Sequence, residues 1–253
     1  MNSPGPVSQT QLRETVRESI RTGAALSNAY LLMNVLAATI ATYGLFANSP
    51  AVVISAMIVA VLLGPIVGIS LALVDIDMKL LLKSLTSLLA GAIGVMITAF
   101  LIGTIHKDMP LTNEIVARTA PNLLDLMVAL AGGAAGAYAT VSPRLSIAVV
   151  GVAIAVALVP PLSVAGILFA RGEVGLAFGA LLLTFTNMVA IQFASSVVLW
   201  LNGFRRVSRT SGLPLLAFAK GNFISIVILL ALAVLFTTSL RRAVAVKLYE
   251  ASA

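Results

Sequence analysis

The stretch V-S-P-R-L-S-I-A-V-V-G-V-A-I-A-V-A-L-V-P-P-L-S-V-A-G, from Val141 to Gly166, is long enough to cross a bilayer but contains Pro160 and Pro161. It carries no charge after Arg144. Proline removes a backbone donor and clashes with the preceding turn. Freed backbone groups are tolerated inside a membrane only where protein or water satisfies them. The stretch therefore predicts a broken membrane helix.

A weaker copy of this pattern lies upstream, from Asn48-Ser49-Pro50 through an apolar run to Gly64 and Pro65. Broken helices in corresponding parts of two repeats are typical of transporters, where unwound backbone binds an ion or small solute. Alternatively, these prolines mark packing kinks, which membrane helices tolerate. The candidate binding residues from this pattern are Gly64, Pro65, Pro160 and Pro161.

The composition predicts an all-α polytopic protein of the lipid bilayer. The chain has 253 residues, of which 60% are hydrophobic and 10% charged, and its mean hydropathy is +1.08. Several stretches exceed the roughly 18 uncharged residues that mark a transmembrane helix. The net charge of +7 comes from short loops and tails between apolar runs, as the positive-inside rule requires. Nucleic acid is therefore not an expected partner.

Seven spans are predicted after a tail and a short basic amphipathic helix in residues 1–22. That helix either lies on the cytoplasmic membrane surface or continues the first span as a solvated helix. Asp75, Asp77 and Lys79 are predicted to form a solvated loop. The spans lie at about Ala24–Ala47, Ala51–Val74, Ser84–Ile105, Asn122–Val141, Leu145–Ala170, Val174–Asn202 and Gly221–Leu240.

The spans fall into two units of three, residues 24–105 and 122–202, and the span at 221–240 is an addition. A shift of 93 residues aligns Pro50 with Pro143, and a shift of 96 aligns Pro65 with Pro161. Because a unit of three spans begins and ends on opposite sides of the membrane, the second unit enters from the side opposite to the first. The pattern therefore predicts an inverted repeat, the construction common among secondary transporters.

Four polar residues inside the spans are candidate ion-binding or solute-binding residues. Asp125 is an ionisable group in a span, which is costly and therefore a functional hypothesis. It also lies three residues after Asn122, where a carboxylate caps the helix, and the two roles are compatible. Asn34, Asn187 and Gln192 either line a pathway or make hydrogen bonds between helices.

The small residues Gly132, Gly133 and Gly136 predict close helix packing within the chain or in a homo-oligomer. The same glycine face could instead expose backbone to a permeant. Catalysis is not expected, because the chain has no cysteine and only one histidine, His106, in a loop. No metal site or cofactor is predicted for the same reason.

Several sequence strings resemble a prokaryotic membrane family known as the domain of unknown function 389, or DUF389. The resemblance covers about Tyr30 to Phe204 and implies an integral membrane protein without implying a chemistry. Similar proteins often carry Ser-Pro where this chain has Ala60-Val61, so the second span is expected to be less broken here. The strings are N-S-P-A-V-V-I (48–54), G-P-I-V-G (64–68), A-A-G-A-Y-A (134–139), G-V-A-I-A-V-A-L-V-P-P-L (151–162) and G-A-L-L-L-T-F-T-N-M-V-A-I (179–191).

Two function classes fit these features. The first is a transporter or channel for an ion or small solute, which uses the broken second and fifth spans near the bilayer midplane. The second is a membrane interaction or sensory protein that acts through oligomerisation and its basic amino-terminal helix.

The positive charges predict a cytoplasmic amino terminus in the cell membrane. Ten Lys and Arg residues fall on the amino-terminal side and three in loops of the other side, although seven spans would place the basic carboxyl-terminal tail outside. Single cysteines at Ser3 and Ser252 test this, because the chain has no native cysteine to react. We expect an impermeant maleimide to label only position 252 in intact cells. Protection of both termini would contradict the seven-span topology.

Overall fold

The computed structural model describes residues 9–142, 158–204, 214–235 and 237, and within these ranges it contains helices and no strands. The predicted all-α class is therefore confirmed. The helices are α1 Gln9–Gly23, α2 Asn28–Phe46, α3 Pro50–Val59, α4 Leu63–Asp75, α5 Met78–Ile105, α6 Asn113–Val116, α7 Leu123–Val141, α8 Val159–Arg171, α9 Val174–Leu201, α10 Pro214–Gly221 and α11 Phe223–Leu235.

Four of these helices, α2, α5, α7 and α9, are long and apolar enough to cross a membrane. Helices α3 and α4 together make a fifth span that is bent by 56°. The first part of the predicted fifth span lies outside the described residues, and only α8 is seen. The described part of helix α11, Phe223–Leu235, lies within the predicted seventh span. The described residues thus provide four or five spans.

The helices of the two predicted units match in length. Helices α2 and α7 have 19 residues each, α4 and α8 have 13 each, and α5 and α9 have 28 each. The bounds of α4 and α8, and of α5 and α9, differ by 96 residues, as the proline register predicts. The bounds of α2 and α7 differ by 95 instead of the predicted 93.

The turn after α4 repeats after α8. Ile76 and Gly172 both have left-handed backbone, with φ of 55° and 78°. The next amide in each turn, at Asp77 or Glu173, donates to a carbonyl five residues back. A β-branched residue rarely adopts this conformation, whereas glycine does so without strain. The shared backbone geometry therefore persists in the first unit despite an unsuited residue.

The two units pack across one another: α4 contacts α9, and α8 contacts α5. The Ser70 hydroxyl donates to the Gln192 carbonyl over 2.9 Å. A Cβ on Gly166 would lie 2.5 Å from the Met96 carbonyl. The shift of 96 residues takes Ser70 to Gly166 and Met96 to Gln192, so each contact is the counterpart of the other. Exchanged contacts of this kind are what a two-fold relation between units would give.

Helix α1 packs against the bundle through Val16 and Ile20, which are buried beside α4. Arg17 donates two hydrogen bonds to Asp75, of 2.9 and 3.1 Å, and Arg21 pairs with Asp77 at 3.0 Å. The prediction of a solvated loop is therefore wrong for Asp75, which is only 6% exposed. The partner that makes its burial tolerable lies 58 residues earlier in the chain.

Helices α7 and α9 approach one another closely at Gly133. A Cβ there would lie 2.6 Å from the Ile191 Cα. The Ser195 hydroxyl also donates to the Gly133 carbonyl over 3.1 Å. Gly136 is buried along the same helix, whereas Gly132 is half-buried. This arrangement explains the glycine run as a packing surface within one chain, and a role in homo-oligomers stays a prediction.

We expect Gly133→Ala to lower the stability of the bundle by about 1–3 kcal/mol, because the added methyl group forces α7 away from α9. Gly94→Ala is the matched control, since a Cβ on Gly94 would meet no atom within 4 Å. That variant should be neutral or more stable by up to about 1 kcal/mol, because alanine favours helix over glycine. Thermal unfolding in detergent measures both, and equal melting temperatures would contradict the packing assignment.

Candidate functional site

A cavity of about 410 Å³ brings together three residues that the sequence singles out, Asp125, Pro161 and Asn187. Asn187 is only 5% exposed, and Asp125 is half-buried. The wall therefore combines charged and amide side chains with apolar ones. The other lining residues are Pro50, Ile54, Met57, Glu114, Ala117, Arg118, Val128 and Leu183.

Asp125 is both a helix cap and a wall of the cavity. The Asn122 Oδ1 accepts from the amides of Leu124 and Asp125, and Asp125 Oδ2 accepts from the Asn122 amide over 3.0 Å. This reciprocal capping box fixes the carboxylate at the start of α7. Within the described ranges the cap uses only Oδ2, so Oδ1 retains lone pairs for a ligand. The two roles given to Asp125 by sequence are thus compatible in the structure.

Sequence reasoning missed the ion pair at the edge of this cavity. Arg118 contacts Glu114 at 2.7 Å, one helical turn away, and both side chains are about one-fifth exposed. The opposite charges four residues apart in the sequence indicate such an ion pair. Helix α6 is held in place by the Thr112 hydroxyl, which donates to the Leu45 carbonyl over 2.7 Å. With Asp125, the cavity contains two carboxylates and one guanidinium, which is a surplus of one negative charge.

The prolines lie in the first turns of helices. Pro160 and Pro161 are the second and third residues of α8, and Pro65 is the third residue of α4. The first four amides of a helix have no partner within it, so proline costs no hydrogen bond at these positions. All three prolines are buried. They therefore begin the inner half-helices, and at α8 they remove amides that could otherwise bind an anion.

Asn34 lies at the break between α3 and α4, away from the cavity. Its Oδ1 accepts from the Val61 amide over 3.4 Å, and its Nδ2 donates to the Tyr30 carbonyl over 3.0 Å. The 56° bend shows that this span is broken, and the expectation that it is less broken than in similar proteins stays a prediction. Pro65 explains the bend without a preceding Ser-Pro, because it cannot donate to the Val61 carbonyl and its ring displaces that group.

Two further candidates have structural partners outside the cavity. A Cβ on Gly64 would overlap the carbonyl of Gly23, so this glycine lets α1 approach α4. The Gln192 amide donates to Ser196 and Asn222 over 2.8 and 3.2 Å, and its Oε1 accepts from Ser225. Gln192 therefore joins α9 to α11 through a buried hydrogen-bond network.

The apolar helices, the broken span and the polar cavity define a multi-pass α-helical membrane protein. Residues 57–193, just over half of the chain, match the model of a family described as "Domain of unknown function (DUF389)". The chain belongs to this family, which confirms the resemblance noted in its sequence.

The chain is also similar to a curated protein of unknown function. An uncharacterized protein of Methanocaldococcus jannaschii is 40% identical over 178 residues, which are 69% of this chain and 54% of that protein. The chain therefore spans about half the length of that relative. No solved structure matches the chain. The comparisons establish the family, and the chemistry has to come from the residues.

We expect Asn34→Ala to destabilise the protein by about 1–3 kcal/mol, because the Val61 amide at the break loses its acceptor. Asn202→Ala is the matched control. Its side chain makes the same bond to a carbonyl four residues back, but in an exposed position beyond α9. Thermal unfolding in detergent should show a clear loss for the first variant and little change for the second. Equal losses would mean that Asn34 does not support the break.

Proposed function

We propose that the protein is an integral membrane transporter or channel for an ion or small solute, with its path through the cavity at Asp125. The observation that carries this proposal is the convergence of Asp125, Asn187 and Pro161 on one cavity. Ionisable groups within membrane spans are costly and occur mainly where they face a pathway or a partner. Here one carboxylate, one buried amide and the start of a half-helix meet although they come from three helices.

The matched helices and exchanged contacts support an inverted repeat, which we include in the proposal. In transporters of that construction, the substrate site lies between the repeats, where broken helices begin. The cavity has this position, since α8 begins at its wall and α3 of the other unit supplies Pro50, Ile54 and Met57. We further propose a location in the cytoplasmic membrane with the amino terminus inside the cell.

The charges favour a cation over an anion. Glu114 and Arg118 neutralise one another, which leaves the Asp125 carboxylate as the excess charge. A helix amino terminus normally attracts anions through its free amides. Pro160 and Pro161 remove two of these amides from α8. A small cation, or a proton carried by Asp125, is therefore the substrate that suits this wall.

The second candidate is a non-transporting interaction or sensory protein that acts through oligomerisation. Its specific support is the outer face of α1, where Thr15, Glu18, Ser19, Thr22 and Gly23 line a shallow concavity of about 700 Å³. Under this alternative, removal of residues 1–22 abolishes activity. Under the transport proposal, the same truncation leaves flux through the bundle largely intact.

Flux into proteoliposomes under imposed K⁺, Na⁺, H⁺ and Cl⁻ gradients tests the proposal. Asp125→Asn should reduce cation flux by about tenfold or more, because it removes the charge in the cavity. The variant retains an oxygen that accepts from the Asn122 amide, so its thermal stability should change little. Glu173→Gln is the matched control, because it neutralises an exposed carboxylate at the start of α9.

Cation flux that Asp125→Asn and Glu173→Gln leave equally unaffected would remove Asp125 from the path. Failure to detect flux under any of the gradients would favour the interaction protein over the transporter.

A further inference from the structure

Three residues of the cavity wall have counterparts in the first unit. The shift of 96 residues takes Pro161 to Pro65 and Asn187 to Gly91. Asp125 is the third residue of α7, and Tyr30 is the third residue of α2. The amides of both residues donate to the cap of their helix, to Asn122 in one unit and to Ser27 in the other, each over 3.1 Å.

In the first unit, Tyr30 fills the position that corresponds to the cavity. Tyr30 is only 6% exposed, and its hydroxyl donates to the Ser87 carbonyl over 2.9 Å. A Cβ on Gly91 would overlap that hydroxyl and would lie 2.8 Å from the Leu62 Cδ2. The tyrosine ring thus occupies the volume that a side chain at position 91 would need. In the second unit, the corresponding Asn187 borders open space.

The open and filled positions face opposite ends of the bundle. Helix α1 is paired with Asp75 and Asp77, which immediately precede α5. Helix α6 follows α5, and its residues Glu114 and Val116 lie beyond the other end of that helix. The 28 residues of α5 separate the two ends by about 42 Å at 1.5 Å per residue. The cavity is lined by Glu114 and Arg118 beside α6, whereas Tyr30 lies in the first turn of α2, at the end of that helix that follows α1.

We propose that Tyr30, Gly91 and Pro65 form the closed half of the permeation path, with Tyr30 as its gate. This inference rests on the proposed transport function and extends it to a mechanism of alternating access. When the Tyr30 ring leaves Gly91, the α1 side opens, and the first unit takes the conformation now seen in the second. The cavity at Asp125 closes in the same step, because inverted repeats exchange conformations around one site.

The gate depends on the presence of glycine at position 91. Any side chain there competes with the Tyr30 hydroxyl for the same volume, so a glycine is required while the gate is closed. Gly91→Asn copies the residue that the second unit has at position 187. It should expel the tyrosine and favour the state that is open toward α1. Tyr30→Phe is a milder variant, because it keeps the ring and loses only the hydrogen bond to Ser87.

Labelling of introduced cysteines tests this gate in the whole protein, since the chain has no native cysteine. Leu183 and Ser87 are matched reporter positions, because both are buried and they differ by 96 residues. An impermeant maleimide is applied from either side of sealed vesicles. In the parent protein we expect Leu183→Cys to react from the α6 side and Ser87→Cys to be protected.

Gly91→Asn should raise labelling of Ser87→Cys from the α1 side by about tenfold or more and lower that of Leu183→Cys in parallel. Tyr30→Phe should shift both rates in the same directions, by less. Labelling that rises at Ser87→Cys without falling at Leu183→Cys would overturn the proposal, as would no change at either position in correctly folded variants. This labelling measurement does not depend on ion flux. Opposite changes in labelling at the two cysteines without ion flux would therefore refute transport alone. Ion flux without these opposite changes would refute the gate.

Discussion

Backbone amides and carbonyls inside a membrane need partners from the protein, and the rest of this structure depends on how that requirement is met at one break. Pro65 prevents α3 from continuing into α4, and the Val61 amide turns to the side chain of Asn34. Asn34 in turn donates to the Tyr30 carbonyl. The break, the buried amide and the tyrosine therefore form one connected group at the centre of the first unit.

The two predicted units have helices of matched length but differ in the side chains at their centres. The turns at Ile76 and Gly172 are alike although one residue is suited to the conformation and the other is not. At the centre of each unit the side chains diverge completely, since Tyr30 corresponds to Asp125. The geometry thus provides two similar positions, and the side chains make one of them apolar and filled and the other charged and open. The proposed permeation path, open at one end only, requires this kind of asymmetry.

The sequence predicts the helical class, the main membrane spans and the register of 96 residues, because these depend on local hydrophobicity and on proline. It also brings Asp125 and Asn187 forward as candidates, since polar groups are conspicuous in apolar spans. It does not predict the pairing of Arg17 with Asp75, whose partners are 58 residues apart. Hydrogen bonding between helices was one of the two roles predicted for Gln192, but its partners Asn222 and Ser225 could not be named, because they lie 30 and 33 residues later in the chain. Side-chain partners set by tertiary contact leave no local pattern.

The pairing of α1 with Asp75 also fixes an order of events during synthesis. Arg17 and Arg21 leave the ribosome well before Asp75 and Asp77, so they meet the membrane surface without these acidic partners. In that interval they retain the full positive charge that holds a flanking segment on its side of the bilayer. Once α4 is inserted, its acidic end neutralises them and α1 docks. In the proposed topology, the same two arginines therefore first favour the orientation of the chain and later hold α1 against the broken helix.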